Sequence, residues 1–227
     1  MTTLTRPLTR TGERPRADLV RVVMAGLFVL MAAGNAFSLV HRLQVPEVSA
    51  PRRVSDVLAS VLTLAFCGLV VRAYLRRGPA TATDRNPLVW LAAPAGTLLP
   101  MVLGAVPPRP GGAFRTVAEL ALTLSGLLFS VWAVRSLATN LSVVPQARGV
   151  VTSGPYRWVR HPLYLGEIVG VAGMALHVGR PWALALLLAE VGLQMYRAHR
   201  EEQLLARELH GYADYAARTS RVIPGIW

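Results

Sequence analysis

The chain has 227 residues, 53% of them hydrophobic, with a mean hydropathy of +0.41. The apolar residues come in long blocks, which excludes a soluble domain built around one core. All 24 basic residues are Arg and face 12 acids, a net charge of +12; they cluster beside the apolar blocks, which points to lipid headgroups and topology and away from nucleic acid.

Residues 1–18, with Arg6, Arg10, Arg14 and Arg16, read as a short, mobile cytoplasmic arm. Leu19–Val40 is the first apolar run. At ~1.5 Å per residue it covers ~33 Å, enough for the hydrocarbon core of a bilayer and too long for a signal-peptide core. His41–Pro51 is a Pro-containing loop, and Val54–Leu75 is the second span, closed by Arg72, Arg76 and Arg77. The single Cys67 lies in that span; it excludes an intrachain disulfide and reads as buried filler. After the turn-rich link Gly78–Asn86, Pro87–Val106 is the third span, and its internal Pro94 and Pro100 predict a kinked or broken helix. Pro107–Gly112 is a hard stop. Ala113–Leu137 is the fourth span, with Glu119 inside it. Leu163–Val178 and Trp182–His199 follow as a tight helical hairpin or two short spans, separated by Gly179-Arg180-Pro181. Residues 200–227 are polar and amphipathic and read as a cytoplasmic helix ending near Pro224.

The fold class implied is an all-α, polytopic integral membrane bundle of five to six transmembrane helices. It divides into the arm (1–18), four transmembrane helices (19–139) and a C-terminal core (140–227). Arginine sets the topology. Only Arg42, Arg52, Arg53, Arg109, Arg115 and Arg180 fall in the alternate links, and the other 18 lie on one side. The positive-inside tendency then puts both termini in the cytoplasm after six crossings. The location expected is a bacterial inner membrane.

Val150–Tyr164 organises the rest. It packs a Gly154-Pro155 turn, aromatics, Arg residues and His161 between two apolar segments. Pro162 suits the first position of a helix, which places His161 at the helix mouth and Tyr164 one turn in. The free N–H groups there suit a carboxylate or phosphate; the plainer reading is a basic loop anchored at the headgroups. On the last helix Glu190, Gln194, Arg197 and Glu201 are spaced four, three and four apart and form one polar stripe. Such a stripe faces a cavity or partner, or is a self-satisfied ladder in which Arg197 pairs with Glu201.

Gly154-Pro155-Tyr156 followed by Arg160-His161-Pro162-Leu163-Tyr164 resembles the isoprenylcysteine carboxyl methyltransferase family and its phospholipid methyltransferase relatives. So do the Glu201-Glu202 pair some forty residues later, the Tyr212/Tyr215 pair and Pro224. The likeness covers about residues 140–225. The usual Phe-Gly before the tyrosines is replaced by Leu209-His210-Gly211. The resemblance implies S-adenosylmethionine as cofactor. It implies cofactor contacts from Gln146, Arg148, Gly149, Val150 and Val151 before the turn, from Tyr156, from His161, Pro162, Leu163 and Tyr164, and from Glu201 in the tail. It also carries an Arg four residues before the first Glu of the pair, which Arg197 matches. No metal is implied.

Methyl transfer is an in-line displacement in which the cofactor supplies reactivity and the protein supplies position and electrostatics. A carboxylate nucleophile needs no general base, and Arg197 would hold it by a two-pronged contact. An amine nucleophile needs a base, for which Glu190 or Glu167 is the candidate. Glu190 and Arg197 are thus the acceptor-binding residues, and Arg197 also the catalytic one. Glu119 and Glu167 serve equally as interhelical hydrogen-bonding groups, and His177 and His199 as interface residues. The reaction expected is carboxyl O-methylation of a lipid-like or isoprenoid acceptor taken from the membrane. N-methylation of an amino-lipid is the alternative, and a non-catalytic membrane carrier or assembly factor the alternative from another class.

Overall fold

The structure, a computed structural model, describes residues 14–44, 50–107, 109 and 111–225. Seven helices account for most of them: α1 Arg14–Leu43, α2 Ala50–Arg76, α3 Pro87–Gly104, α4 Ala113–Leu137, α5 Pro162–Val178, α6 Pro181–Glu208 and α7 Tyr212–Arg218. Two short strands, β1 Ala82–Thr83 and β2 Gln146–Ala147, pair antiparallel. The all-α polytopic bundle is as expected. Leu19–Leu43, Arg52–Arg76, Pro87–Gly104 and Ala113–Asn140 are long and apolar enough to cross a membrane, and α5 is a shorter apolar helix. Phe37 (75% exposed) and Leu30 (71%) stand on the outer surface, where lipid is the natural solvent.

Four expectations are corrected. Helix α1 already runs from Arg14, so the last residues of the supposed arm are helical, while residues 1–13 lie outside the description. The third span, expected to be kinked or broken, is not broken: one helix runs through Pro94 and Pro100, and Thr97 Oγ1 donates to Ala93 O at 2.9 Å within it. The tail is not a separate long helix. Helix α6 continues unbroken from Pro181 to Glu208, and only the seven-residue α7 follows. The loop expected at His41–Pro51 is narrower, since α1 reaches Leu43 and α2 starts at Ala50; residues 45–49 lie outside the description.

Packing depends on small residues. Helices α4 and α5 touch backbone to backbone: a methyl on Gly126 would meet Gly170 N and lie 2.7 Å from Gly166 O. A methyl on Gly166 would lie 2.9 Å from Ser130 N, and one on Gly173 2.6 Å from Thr123 N. Gly126 of α4 with Gly166 and Gly173 of α5 thus form the small-residue seam that lets membrane helices approach closely. Helices α1 and α2 bury Phe28, Cys67 and Tyr74 against Val89 of α3 and Val134 of α4. One end of the bundle gathers the C-terminal ends of α2, α4 and α6 with the N-terminal ends of α3 and α5. The other gathers the three remaining links.

Candidate active site

The Val150–Tyr164 region sits at the first of these ends, and each of its pieces is tied to a helix. Val143 N–H donates to the buried Tyr74 hydroxyl of α2 at 2.8 Å. Strand β2 holds the link between α2 and α3, with Thr83 opposite Gln146. Asp84 in that link takes Arg200 of α6 through both oxygens, at 2.9 and 3.0 Å. Gly154 turns the chain at φ +62°, and a methyl there would crowd Ser136 of α4 (3.1 Å to its Cβ), so glycine is required for both conformation and space. Pro162 starts α5 as expected, with His161 as its N-cap.

Glu202 is the clamp. One carboxylate oxygen takes Arg160 Nε at 2.7 Å and faces His161 Nε2 at 3.1 Å; the other accepts two donors from Arg221, at 2.9 and 2.6 Å. Arg160 also donates to Ala216 O at 2.8 Å and to Thr219 O. The backbone joins in: Arg160 N–H donates to Ser220 O at 2.8 Å and His161 N–H to Arg221 O at 3.0 Å. Burial disfavours the Glu202 charge, but His161, Arg221 and Arg160 outweigh it and hold the carboxyl well below its usual range. A depressed value stabilises the fold wherever an unfolded Glu is ionised, and that contribution is lost as pH falls toward the folded value. Glu202→Gln should therefore lower thermal stability by a constant amount between pH 7 and 5. The gap to the parent should close below about pH 4.5; a gap that stays constant down to pH 3 would show that Glu202 is not a clamp.

With Glu202 engaged, Glu201 faces the other way. Its Oε2 accepts from the Tyr164 hydroxyl at 2.8 Å. The Tyr164 ring stacks on His161 at 5.3 Å with 3° between planes, and Arg197 Cζ lies over the same Tyr164 ring, 4.8 Å from its centroid. Beside them opens a cleft lined by Gln146, Gly149, Val150, Val151, Tyr156, His161 and Glu201, with Leu137, Asn140, Arg160, Leu205, Tyr212 and Tyr215 completing its wall. Tyr215 donates to Tyr156 O at 2.6 Å, which closes the tail over the loop. Burial first and the Glu201 charge second push the Tyr156 phenol far above its usual range, so it is a neutral donor. Burial pushes Tyr215 up to about 12.

Deeper, between α3, α5 and α6, lies a buried polar cluster. Gln194 Nε2 donates to Glu190 Oε1 at 2.6 Å and to Glu167 Oε2 at 2.8 Å. Gln194 Oε1 accepts from Arg197 Nη1 at 2.9 Å, and Arg197 Nη2 donates to Val143 O at 2.9 Å. Glu190 Oε2 and Arg197 Nε are buried without a partner among the described residues. Gly96 of α3 makes the room: a methyl on it would lie 3.4 Å from Arg197 Nη1 and 3.8 Å from Glu190 Oε2. Arg197 forms no ion pair with Glu201 among the described residues, so the stripe is not the self-satisfied ladder.

The sequence-derived residues divide as follows. Seven of the proposed cofactor residues line one cleft, and Tyr164 bridges it to the cluster that holds Glu190 and Arg197. Arg148 does not line it. Its guanidinium donates to Gly78 O and to Gln146 Oε1 (2.7 Å), which turns it toward α2; burial, with the Arg77 charge next, lowers its pKa to about 10. Pro162 is buried at the start of α5, and Leu163 packs on the core near Tyr74, so both shape the helix mouth and neither lines the cleft. Gln146 reaches the cleft wall with its amide already engaged by Ser142, Thr83 and Arg148. Sequence reasoning missed Asn140, Leu205, Asp84 and the cleft-facing role of the tyrosine pair. For Asn140, the one signal was a polar residue directly after an apolar span.

Residues 114–211 match a family model described as phospholipid methyltransferase. The likeness read from Gly154–Tyr164 and Glu201-Glu202 is borne out across that segment. The chain is 39% identical over 79 residues to the nickel-cobalt-cadmium resistance protein NccN of Alcaligenes xylosoxydans xylosoxydans, which is 34% of this chain and 37% of that protein. It is 34% identical over 113 residues to the cobalt-zinc-cadmium resistance protein CzcN of Cupriavidus metallidurans, 48% of this chain and 52% of that protein. The chain thus spans between about a third and a half of the length of these curated relatives. The structure of the eukaryotic intramembrane Ras methyltransferase, isoprenylcysteine carboxyl methyltransferase, overlays with a TM-score of 0.46 at 18% identity, covering 90% of this chain and 86% of that one.

Proposed function

We propose that this chain, whose residues 114–211 carry the phospholipid methyltransferase pattern, is an S-adenosylmethionine-dependent membrane methyltransferase. The observation that carries the reading is the meeting of loop, helix mouth and tail at one cleft, with a buried polar cluster behind it. The residues fit the group. Glu201 offers an acceptor for its ammonium, Val150 and Val151 an apolar wall, and Tyr156 a neutral donor. The cleft has only about 50 Å³ of free volume, whereas small-molecule pockets need about 300–1,000 Å³. Binding therefore requires the cleft to widen.

When bound, the cofactor supplies a sulfonium methyl group open to in-line attack. The chain's own residues do the positioning. Tyr164, fixed by Glu201 and His161, forms the wall between cofactor and acceptor. Arg197, over the same ring, is the buried cation next to that wall. It favours a carboxylate acceptor on a lipid-like or isoprenoid molecule entering from the bilayer, which needs no base. A second reading rests on Glu190 Oε2, a buried acceptor atom without a donor. An amine headgroup would satisfy it, with Glu190 or Glu167 taking the proton, and the reaction would be N-methylation of an amino-lipid. The Arg distribution supports placing the cleft and both termini on the cytoplasmic side of a bacterial inner membrane.

Calorimetry on the purified protein should show S-adenosylmethionine binding that His161→Ala or Glu201→Gln weakens at least tenfold, about 1.4 kcal/mol. Labelled methyl should pass to lipid extract in inverted membrane vesicles and not in right-side-out ones. Alkali-labile label marks an ester, and alkali-stable label an N-methyl group. Wild-type affinity in both folded variants would remove the cofactor from this cleft.

A further inference from the structure

The opposite end of the bundle carries a second concavity that methyl transfer does not use. It has a volume of about 350 Å³ and is lined by Arg109, Arg180, Pro181 and Trp182. Arg115 lies beside it, bonded to the lining residue Arg109. The Arg115 guanidinium donates to Arg109 O and lies against Gly179, where a methyl would sit 2.7 Å from Nη1. One side chain thus joins the α3–α4 link to the α5–α6 link and brings Arg109 and Arg180 to one place.

The electrostatics of this place are one-sided. Arg180 is the N-cap of α6, and Arg115 lies in the first turn of α4. Both helices point the positive end of their dipole at these cations, the reverse of the favourable arrangement. Neither helix has an acid in its first turn. The nearest buried acid in α4, Glu119, is already engaged by Arg52 at 2.8 Å and His177 at 2.6 Å. Three of the six Arg that run against the topology tendency converge here. Among the described residues no carboxylate pairs with Arg109, Arg115 or Arg180; an anion would relieve both helix ends and meet two or three guanidinium groups. Trp182, 40% exposed, stands near the start of α6, whose Leu184 and Leu188 are also exposed, the setting of an interfacial aromatic at the headgroup level.

We propose that Arg109, Arg115 and Arg180 form a binding site for the phosphate of an anionic phospholipid headgroup at the end of the bundle opposite the cleft. The site is independent of the methyl-transfer reading. The test is native mass spectrometry of the full chain released from nanodiscs of phosphatidylglycerol or of phosphatidylcholine, with inorganic phosphate added in a third arm. Phosphatidylglycerol should be retained and phosphatidylcholine not. Arg180→Gln should reduce retention about tenfold, while Arg42→Gln, which removes one charge at the same end just as Arg180→Gln does, should not. Displacement of the lipid by millimolar phosphate would assign the site to a free anion and overturn the lipid. Equal retention of both lipids, or equal loss in the Arg42 control, would overturn the site altogether.

Discussion

Gly126→Ala should destabilise this protein more than any other single methyl group. The added carbon would meet the backbone of α5 at Gly170 and Gly166, and backbone cannot move aside as a side chain can. Overpacking against side chains typically costs about 1–3 kcal/mol. Here α4 and α5 must separate along their whole seam, and about 3 kcal/mol or more is expected. Gly170→Ala is the matched control, because a methyl at that position meets nothing within 4 Å. Thermal unfolding in detergent should show a large loss for Gly126→Ala and almost none for Gly170→Ala. The consequence reaches function through α5. Its N-terminal end holds His161 and Tyr164, so cofactor binding should fall with the packing. Equal stability of the two variants would mean that the helices are not in backbone contact.

Arg197→Lys should separate acceptor recognition from cofactor binding. Arg197 spends Nη1 on Gln194 and Nη2 on Val143 O. Lysine keeps the charge but brings one ammonium to two acceptors that a planar fork reaches together. Cofactor affinity should stay within a few-fold, because Glu201, Tyr156 and His161 are untouched. Methyl transfer should drop by roughly tenfold or more, ~1.4 kcal/mol of transition-state stabilisation. Near-normal turnover would take Arg197 out of the active site, and equal losses in binding and turnover would assign it to the cofactor.

Much of the local architecture was legible in the sequence. Ala113–Leu137 is α4 to the residue, and Pro162 opens α5, because a Pro and Gly stop and a Pro start are local signals. The polar stripe on α6 was legible too, since a fixed spacing of four, three and four can only be one helical face. What stayed hidden depends on partners far along the chain. The Gly166 and Gly173 seam is invisible to hydropathy, because its meaning comes from Gly126, Ser130 and Thr123 on another helix. The division of labour between Glu201 and Glu202 needed Arg160 and Arg221 in place. The tail was misjudged for a related reason. Polar residues from 200 onward look like an ending, yet α6 continues through them because Asp84 and Glu202 bind that stretch to the loops.

Val143 contributes no side-chain chemistry, and its peptide groups hold two parts of the site together. Its carbonyl carries Arg197 in the depths of the bundle, and its N–H carries Tyr74 at the edge of the cofactor loop. Consecutive peptide planes hinge only at φ and ψ, so the two grips are separated by two torsions. On the proposed reading, an acceptor that drew Arg197 toward itself would pull on the strut that holds the loop. The order in which acceptor and cofactor would then enter and leave is a property of the backbone as much as of either pocket.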